Sequence, residues 1–263
     1  MIEIYKTNKI ESNDVFRNNK KSSMLYTIIL IIFLSIFIYS SYKLFKIHEG
    51  YRFGIEEYND LENYIKGITL KNDKELSFDI DFDNLKDINN DIVGWIYFEN
   101  IEINYPIVKG IDNSYYLDHT FQNNFNSSGS IFMDYRNDSE FKDLNTVIYG
   151  HNMRNGSMFG NLMKLGDDRT YKENLSFWIL TNESKYKCEI FSVYIDESTS
   201  ESYNIGFENK EEYSKYLNMI IEKSIYNTGI KPTGDDLVVT LSTCATAEGT
   251  IRFIVHAKVE KIE

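Results

Sequence analysis

A cysteine closes an apolar, β-branched run in this chain. Leu237-Val238-Val239-Thr240-Leu241-Ser242-Thr243-Cys244 follows Gly234-Asp235-Asp236 and reads as a buried strand carrying a thiol at its C-terminal end. Eight residues on, Arg252 opens a second apolar run, Ile251-Arg252-Phe253-Ile254-Val255-His256. The link 245–250 is short enough for the two runs to be neighbouring strands, which brings a guanidinium to the thiol. A fixed cation beside a cysteine favours thiolate and stabilises a developing oxyanion, so the pair points to nucleophilic attack on a carbonyl. Such chemistry also needs a proton-exchanging partner, and imidazole is the side chain suited to that near neutral pH. Of four histidines, His48 lies beside the apolar N-terminal stretch and His119 sits in a tyrosine-rich segment. His256 is two dipeptide steps from Arg252 on the same strand face, and His151 ends the run Val147-Ile148-Tyr149-Gly150 where a Gly/Asn-rich loop begins. These patterns alone leave both His151 and His256 open. The second cysteine, Cys188, is set inside an alternating run on the side of Tyr186 and Ile190 and reads as structural.

The elements that would position these groups are mostly strands. Runs at 92–98, 101–108, 130–134, 146–149, 176–180 and 187–194, with the two strands above, make about eight. They are short and turn-linked, which fits a closed or nearly closed barrel. Pro106 falls near a strand end, where a missing amide is tolerated. A short helix is expected over 82–88 and a loop over 71–75. Between 209 and 228 the period changes: Tyr213, Tyr216, Leu217, Ile220, Ile221 and Ile225 mark a helical face. Asn209 with Glu212 fits a capping box, and Gly229 then Pro232 end the helix.

Residues 24–42 carry no charge and are long enough to span a bilayer, and no small-residue cleavage site follows. Lys6, Lys9, Arg17, Lys20 and Lys21 precede the span, against Lys43, Lys46 and Arg52 after it, which places the N-terminus in the cytoplasm. The expected organisation is a cytoplasmic tail over 1–23, a transmembrane signal anchor over 24–45, a helical stalk or linker over 46–75 and an extracellular catalytic domain over 76–263. Tyr51, Ile55, Tyr58, Leu61 and Ile65 give the stalk its helical stripe, ending at Gly67.

Taken together, Thr240-Leu241-Ser242-Thr243-Cys244, Arg252 and Tyr149-Gly150-His151 resemble a sortase. The helix inserted before the cysteine strand resembles class B, as do Asp91-Ile92-Val93-Gly94-Trp95-Ile96, Tyr115-Tyr116-Leu117-Asp118-His119 and Gly129-Ser130-Ile131-Phe132-Met133-Asp134-Tyr135-Arg136. The likeness runs from about residue 80 to the C-terminus. It implies an eight-stranded β-barrel with N-terminal helices, and a membrane-anchored cysteine transpeptidase working outside a Gram-positive type of cell. It selects His151 over His256, so that His151, Cys244 and Arg252 become the catalytic set. It also places Asn113, Leu117, Tyr149 and Ser242 along the peptide groove. The implied partners are secreted proteins bearing a C-terminal sorting signal and a peptidoglycan-precursor amine as acceptor.

Composition bounds the alternatives. The 263 residues carry a net charge of −12 and no basic cluster beyond the N-terminus, which disfavours nucleic acid as a partner. No His/Cys/carboxylate spacing argues for a metal, and no cofactor is expected. Two rival functions use the same residues: a cysteine peptidase that only hydrolyses, and a non-catalytic surface module that binds peptides.

Overall fold

The computed structural model describes residues 2–71, 75–246 and 249–262. The chain divides into two compact units, Met1–Gly50 and Tyr51–Glu263. The first lies within helix α1 (Ile2–Leu61). The helical segment Met24–Tyr64 includes an 18-residue window of mean hydropathy 2.2, none of it buried. By length and composition that window is able to cross a bilayer.

The second unit opens with the end of helix α1. The helical stripe runs out at Leu61, a 3-10 turn follows at Glu62–Tyr64, and the chain turns into a hairpin of β1 (Ile65–Lys71) and β2 (Glu75–Ile80). Part of the loop expected at 71–75, residues 72–74, lies outside the described residues. Helix α2 (Phe82–Ile88) forms as expected, with the Asp81 carboxylate capping the Asn84 amide.

The remaining strands are β3 (Ile92–Tyr97), β4 (Asn104–Val108), β5 (Ile131–Met133), β6 (Asn145–Tyr149), β7 (Ser176–Leu180), β8 (Lys185–Glu197), β9 (Leu237–Cys244) and β10 (Ile251–Lys261). They close into the expected eight-stranded barrel in the order β10-β8-β7-β3-β4-β5-β6-β9. Most neighbours are antiparallel, while β4 with β5 and β6 with β9 are parallel. Closure leaves no free edge, so every strand finds a ladder on both sides. Inward residues such as Trp95, Ile107, Ile148, Ile190, Leu241 and Val255 fill the interior, and burying each aliphatic or aromatic side chain contributes roughly 1.5–3 kcal/mol. Cys188 is fully buried in this interior, and burial pushes its thiol pKa up, so it behaves as an apolar filler.

A second, smaller core lies outside the barrel beneath α4 (Lys210–Glu222). Tyr213, Tyr216, Leu217 and Ile220 pack there on Phe191, Tyr194, Val238 and Ile254. Phe191 is free to face this layer because a bulge in β8 leaves it without a partner between the pairs His256–Ser192 and Ala257–Ile190. The helix stops earlier than the apolar stripe suggests. After Glu222 the Ile225 amide donates to the Val193 carbonyl at 2.9 Å, so a bond to β8 replaces a further helical turn. A shorter helix, α3 (Asp168–Glu173), follows the 3-10 segment Gly160–Gly166; the sequence patterns did not reveal either.

Candidate active site

Strands β9 and β10 place Cys244 directly across from Arg252 in the antiparallel register. The Arg252 Nη1 stands 3.2 Å from the Cys244 Sγ and also donates to the Gly249 carbonyl. Cys244 is partly exposed and free of any disulfide. Its neighbour Thr243 is 2% exposed, and its hydroxyl is without a hydrogen-bond partner among the described residues.

The histidine arrives from the other side of β9. Strand β6 runs parallel to it with Tyr149 beside Ser242, and the Gly150 amide donates to the Ser242 carbonyl at 3.2 Å. Gly150 must lack a side chain, since a Cβ there would come within 2.5 Å of Ile131 and 2.7 Å of Phe159. His151 therefore begins its loop level with the end of the cysteine strand. The next residue ties the two together: Asn152 Nδ2 donates to the Cys244 carbonyl at 2.7 Å. No hydrogen bond joins His151 to Cys244 among the described residues; instead His151 Nε2 lies 2.6 Å from the Leu117 carbonyl. A carbonyl only accepts, so this contact makes Nε2 the donor and leaves Nδ1 as the ring nitrogen outside the bond.

The four expected groove residues belong to the same neighbourhood. Leu117 supplies that carbonyl and is itself 45% exposed. Asn113 and Tyr149 converge on one buried carboxylate, their Nδ2 and hydroxyl donating to Asp134 Oδ2 at 3.0 and 2.9 Å. Burial alone would raise the Asp134 pKa. The Arg136 guanidinium and amide, with Asn113 and Tyr149, outweigh it and hold the carboxyl below its ordinary value. Ser242 is buried, and its hydroxyl meets that of Tyr203 at 2.9 Å.

Tyr203 was not singled out from sequence. It sits in the turn after β8, with its ring 6.1 Å from that of Tyr149, and burial raises its phenol pKa to about 12, so it stays protonated. His256, the other histidine candidate, is fully buried between the hydroxyls of Tyr194 and Thr240, both at 2.8 Å. It shares a strand with Arg252 but has no route to a substrate. Among the described residues no cluster of His, Cys, Asp and Glu is suited to hold a metal. A separate cavity of about 580 Å³ lies between the end of α1, the β3–β4 hairpin and residues 155–158, and contains neither Cys244 nor Arg252.

A family model described as the sortase domain matches residues 96–260. Sortase B of Listeria monocytogenes is 36% identical over 242 residues, covering 86% of this chain and 92% of that protein. Sortase B of Staphylococcus aureus is 31% identical over 238 residues, with 90% and 97% covered. Among solved structures, sortase B from Bacillus anthracis in complex with AAEK1 superposes with a TM-score of 0.72 at 38% identity, covering 81% of this chain and 99% of that one. The Staphylococcus aureus sortase B–substrate complex gives 0.66 at 34% identity, with 69% and 85% covered.

Proposed function

We propose, from the premise that the chain belongs to the sortase family and is a cysteine transpeptidase of the sortase B type, that Cys244, His151 and Arg252 carry its reaction. Cys244 gives its proton to His151 Nδ1 and, as thiolate, attacks a backbone carbonyl carbon within a C-terminal sorting motif of a secreted protein, while Arg252 stabilises the oxygen as it gains charge. The C–N bond then breaks, His151 protonates the departing amine, and a thioester to Cys244 remains. An incoming amine, from a peptidoglycan precursor, gives a proton to His151 and attacks the thioester; the sulfur leaves as thiolate. Asn113, Leu117, Tyr149 and Ser242 line the groove that holds the motif.

The observation that carries this reading is the contact of Arg252 Nη1 with Cys244 Sγ at 3.2 Å, on the strand to which Asn152 ties the His151 loop. The apolar helical window fits a membrane-anchored sortase. Within that setting, residues 1–23 form a cytoplasmic tail, 24–45 the anchor, 46–75 the connection and 76–263 an extracellular catalytic domain. Holding enzyme and lipid-linked acceptor at one membrane raises their effective concentration.

The test incubates the full chain in detergent micelles with a panel of sorting-type peptides, with and without an amine, and reads the products by mass spectrometry. An amine-linked product lost in both Cys244→Ala and His151→Ala supports the reading. Cleavage without amine capture makes the protein a peptidase toward those peptides, and cleavage surviving in Cys244→Ala removes the nucleophile.

A further inference from the structure

The acceptor of the His151 proton is itself held in place by the end of helix α1. Leu117, whose carbonyl lies 2.6 Å from His151 Nε2, opens a loop that returns to it at Gly129 and Ser130. Gly129 adopts φ +56°, and a Cβ there would come within 2.6 Å of the Tyr116 carbonyl oxygen and 2.7 Å of that of Leu117. Only glycine fits this approach. The Gly129 peptide therefore rests directly on the carbonyl that faces the histidine, and the Ser130 amide donates to Tyr116 O at 2.9 Å.

What fixes Gly129 is Tyr58. Its buried hydroxyl donates to the Gly129 carbonyl at 2.7 Å, lies 3.3 Å from Ser130 Oγ and accepts from the Phe121 amide at 3.3 Å. One residue earlier, the Glu57 carboxylate is 5% exposed. It gathers the Thr120 hydroxyl, the Gln122 amide and Asn124 Nδ2 at 2.9, 3.0 and 3.1 Å. Two consecutive helical residues thus bind both halves of the loop. A carboxylate and a phenol buried together need such partners to offset desolvation, so the helix and the loop hold each other in one arrangement.

We propose that Tyr58, supported by Glu57, is a positioning residue for the histidine: it holds Gly129 against Leu117 so that the Leu117 carbonyl meets His151 Nε2 and leaves Nδ1 to exchange protons at the thiol and the amine. This rests on the reading of His151 as the proton-transfer group. Tyr58 touches no reacting atom and acts through the Leu117 carbonyl, so its loss lowers turnover more than it weakens peptide binding.

The test uses Tyr58→Phe, which removes only the hydroxyl, and Glu57→Gln, which loosens the other half of the loop, in the full chain in micelles. Tyr58→Phe is expected to lower kcat by about five- to tenfold while the KM for the sorting peptide stays within about twofold, and Glu57→Gln to follow in the same direction. A merely structural role would not move the second readout, the imidazole resonances of the ¹⁵N-histidine-labelled chain. With four histidines in the sequence, the His151 signals are assigned by their absence in His151→Gln. They are expected to shift in Tyr58→Phe while those of His256 stay in place. Unchanged His151 resonances in whichever of the two variants folds, or a loss confined to KM, would overturn the proposal. Full transpeptidation by His151→Gln would instead overturn the role of the histidine itself.

Discussion

Arg252 meets Cys244 through a single nitrogen, Nη1, which also holds the Gly249 carbonyl. A guanidinium can keep one donor on the backbone and still present others to a developing oxyanion; a lysine offers a single point charge at the end of a flexible stem. Arg252→Lys is therefore expected to slow thioester formation by about 10²–10³-fold, the scale of losing one oxyanion donor. The measurement is the burst of acyl-enzyme in a rapid-quench experiment read by mass spectrometry. Tyr203 differs in kind. Its hydroxyl meets Ser242 at the groove and no reacting atom, so Tyr203→Phe should raise the KM for the sorting peptide about fivefold, near 1 kcal/mol, with kcat little changed in steady-state kinetics. The two residues also differ in how they are read from sequence. Arg252 is legible because two apolar runs joined by a short link must form neighbouring strands, and the eight-residue spacing from Cys244 then sets the register. Tyr203 lies in an aperiodic turn whose position depends on Tyr216 and Asn145 donating to the Ser202 carbonyl, and no local pattern encodes those contacts.

At the scale of elements, legibility follows the same division between local and distant causes. The strands were visible as β-branched runs, and α4 as a stripe, because each buries one face in a short stretch of chain. The parallel pairings of β4 with β5 and β6 with β9 were not visible, since their partners are far apart in sequence and meet only when the barrel closes. The β1–β2 hairpin escaped because the run 65–71 continues the apolar spacing of α1 without a break. The start of α4 was legible down to its cap. The Asn209 side chain accepts from the Glu212 amide at 2.9 Å. Glu212, however, reaches back to the Glu208 amide at 2.7 Å, one residue beyond the expected capping box. Asn209→Ala removes one of these two bonds and is expected to cost about 1 kcal/mol, lowering the thermal midpoint by roughly 2–4 °C in calorimetry. Thioester formation should persist below that midpoint, because the cap touches neither β9 nor β10.

At the scale of the whole molecule, two buried groups that hold one protonation state make stability depend on acid. Burial, with a smaller effect of Lys223 only partly offset by Asp196, lowers the His256 pKa to about 3, against 6.5 for a free imidazole. Below pH 6.5 the unfolded chain takes up a proton at this residue while the folded chain does not, so stability falls as pH decreases through the window from 6.5 toward 3. Asp134, held below its ordinary carboxyl value of 3.8 by its hydrogen bonds, adds a loss at lower pH: its stabilisation is complete above that value and disappears as the folded carboxyl protonates. Acid therefore weakens the fold through these two groups in successive pH windows. Each group contributes a slope of at most about 1.4 kcal/mol per pH unit. His256→Gln keeps groups able to bond with Tyr194 and Thr240 but cannot titrate. Urea unfolding of the full chain in micelles across pH 7 to 4 measures the difference. The variant should be less dependent on pH at every point below about 6.5 in this range, its curve and the wild-type curve moving apart by up to about 1.4 kcal/mol per pH unit, because the folded His256 stays neutral down to about 3. Parallel slopes across the whole range would mean that the imidazole gains its proton within the folded barrel, and the buried arrangement of Tyr194, His256 and Thr240 would then have to open to admit it.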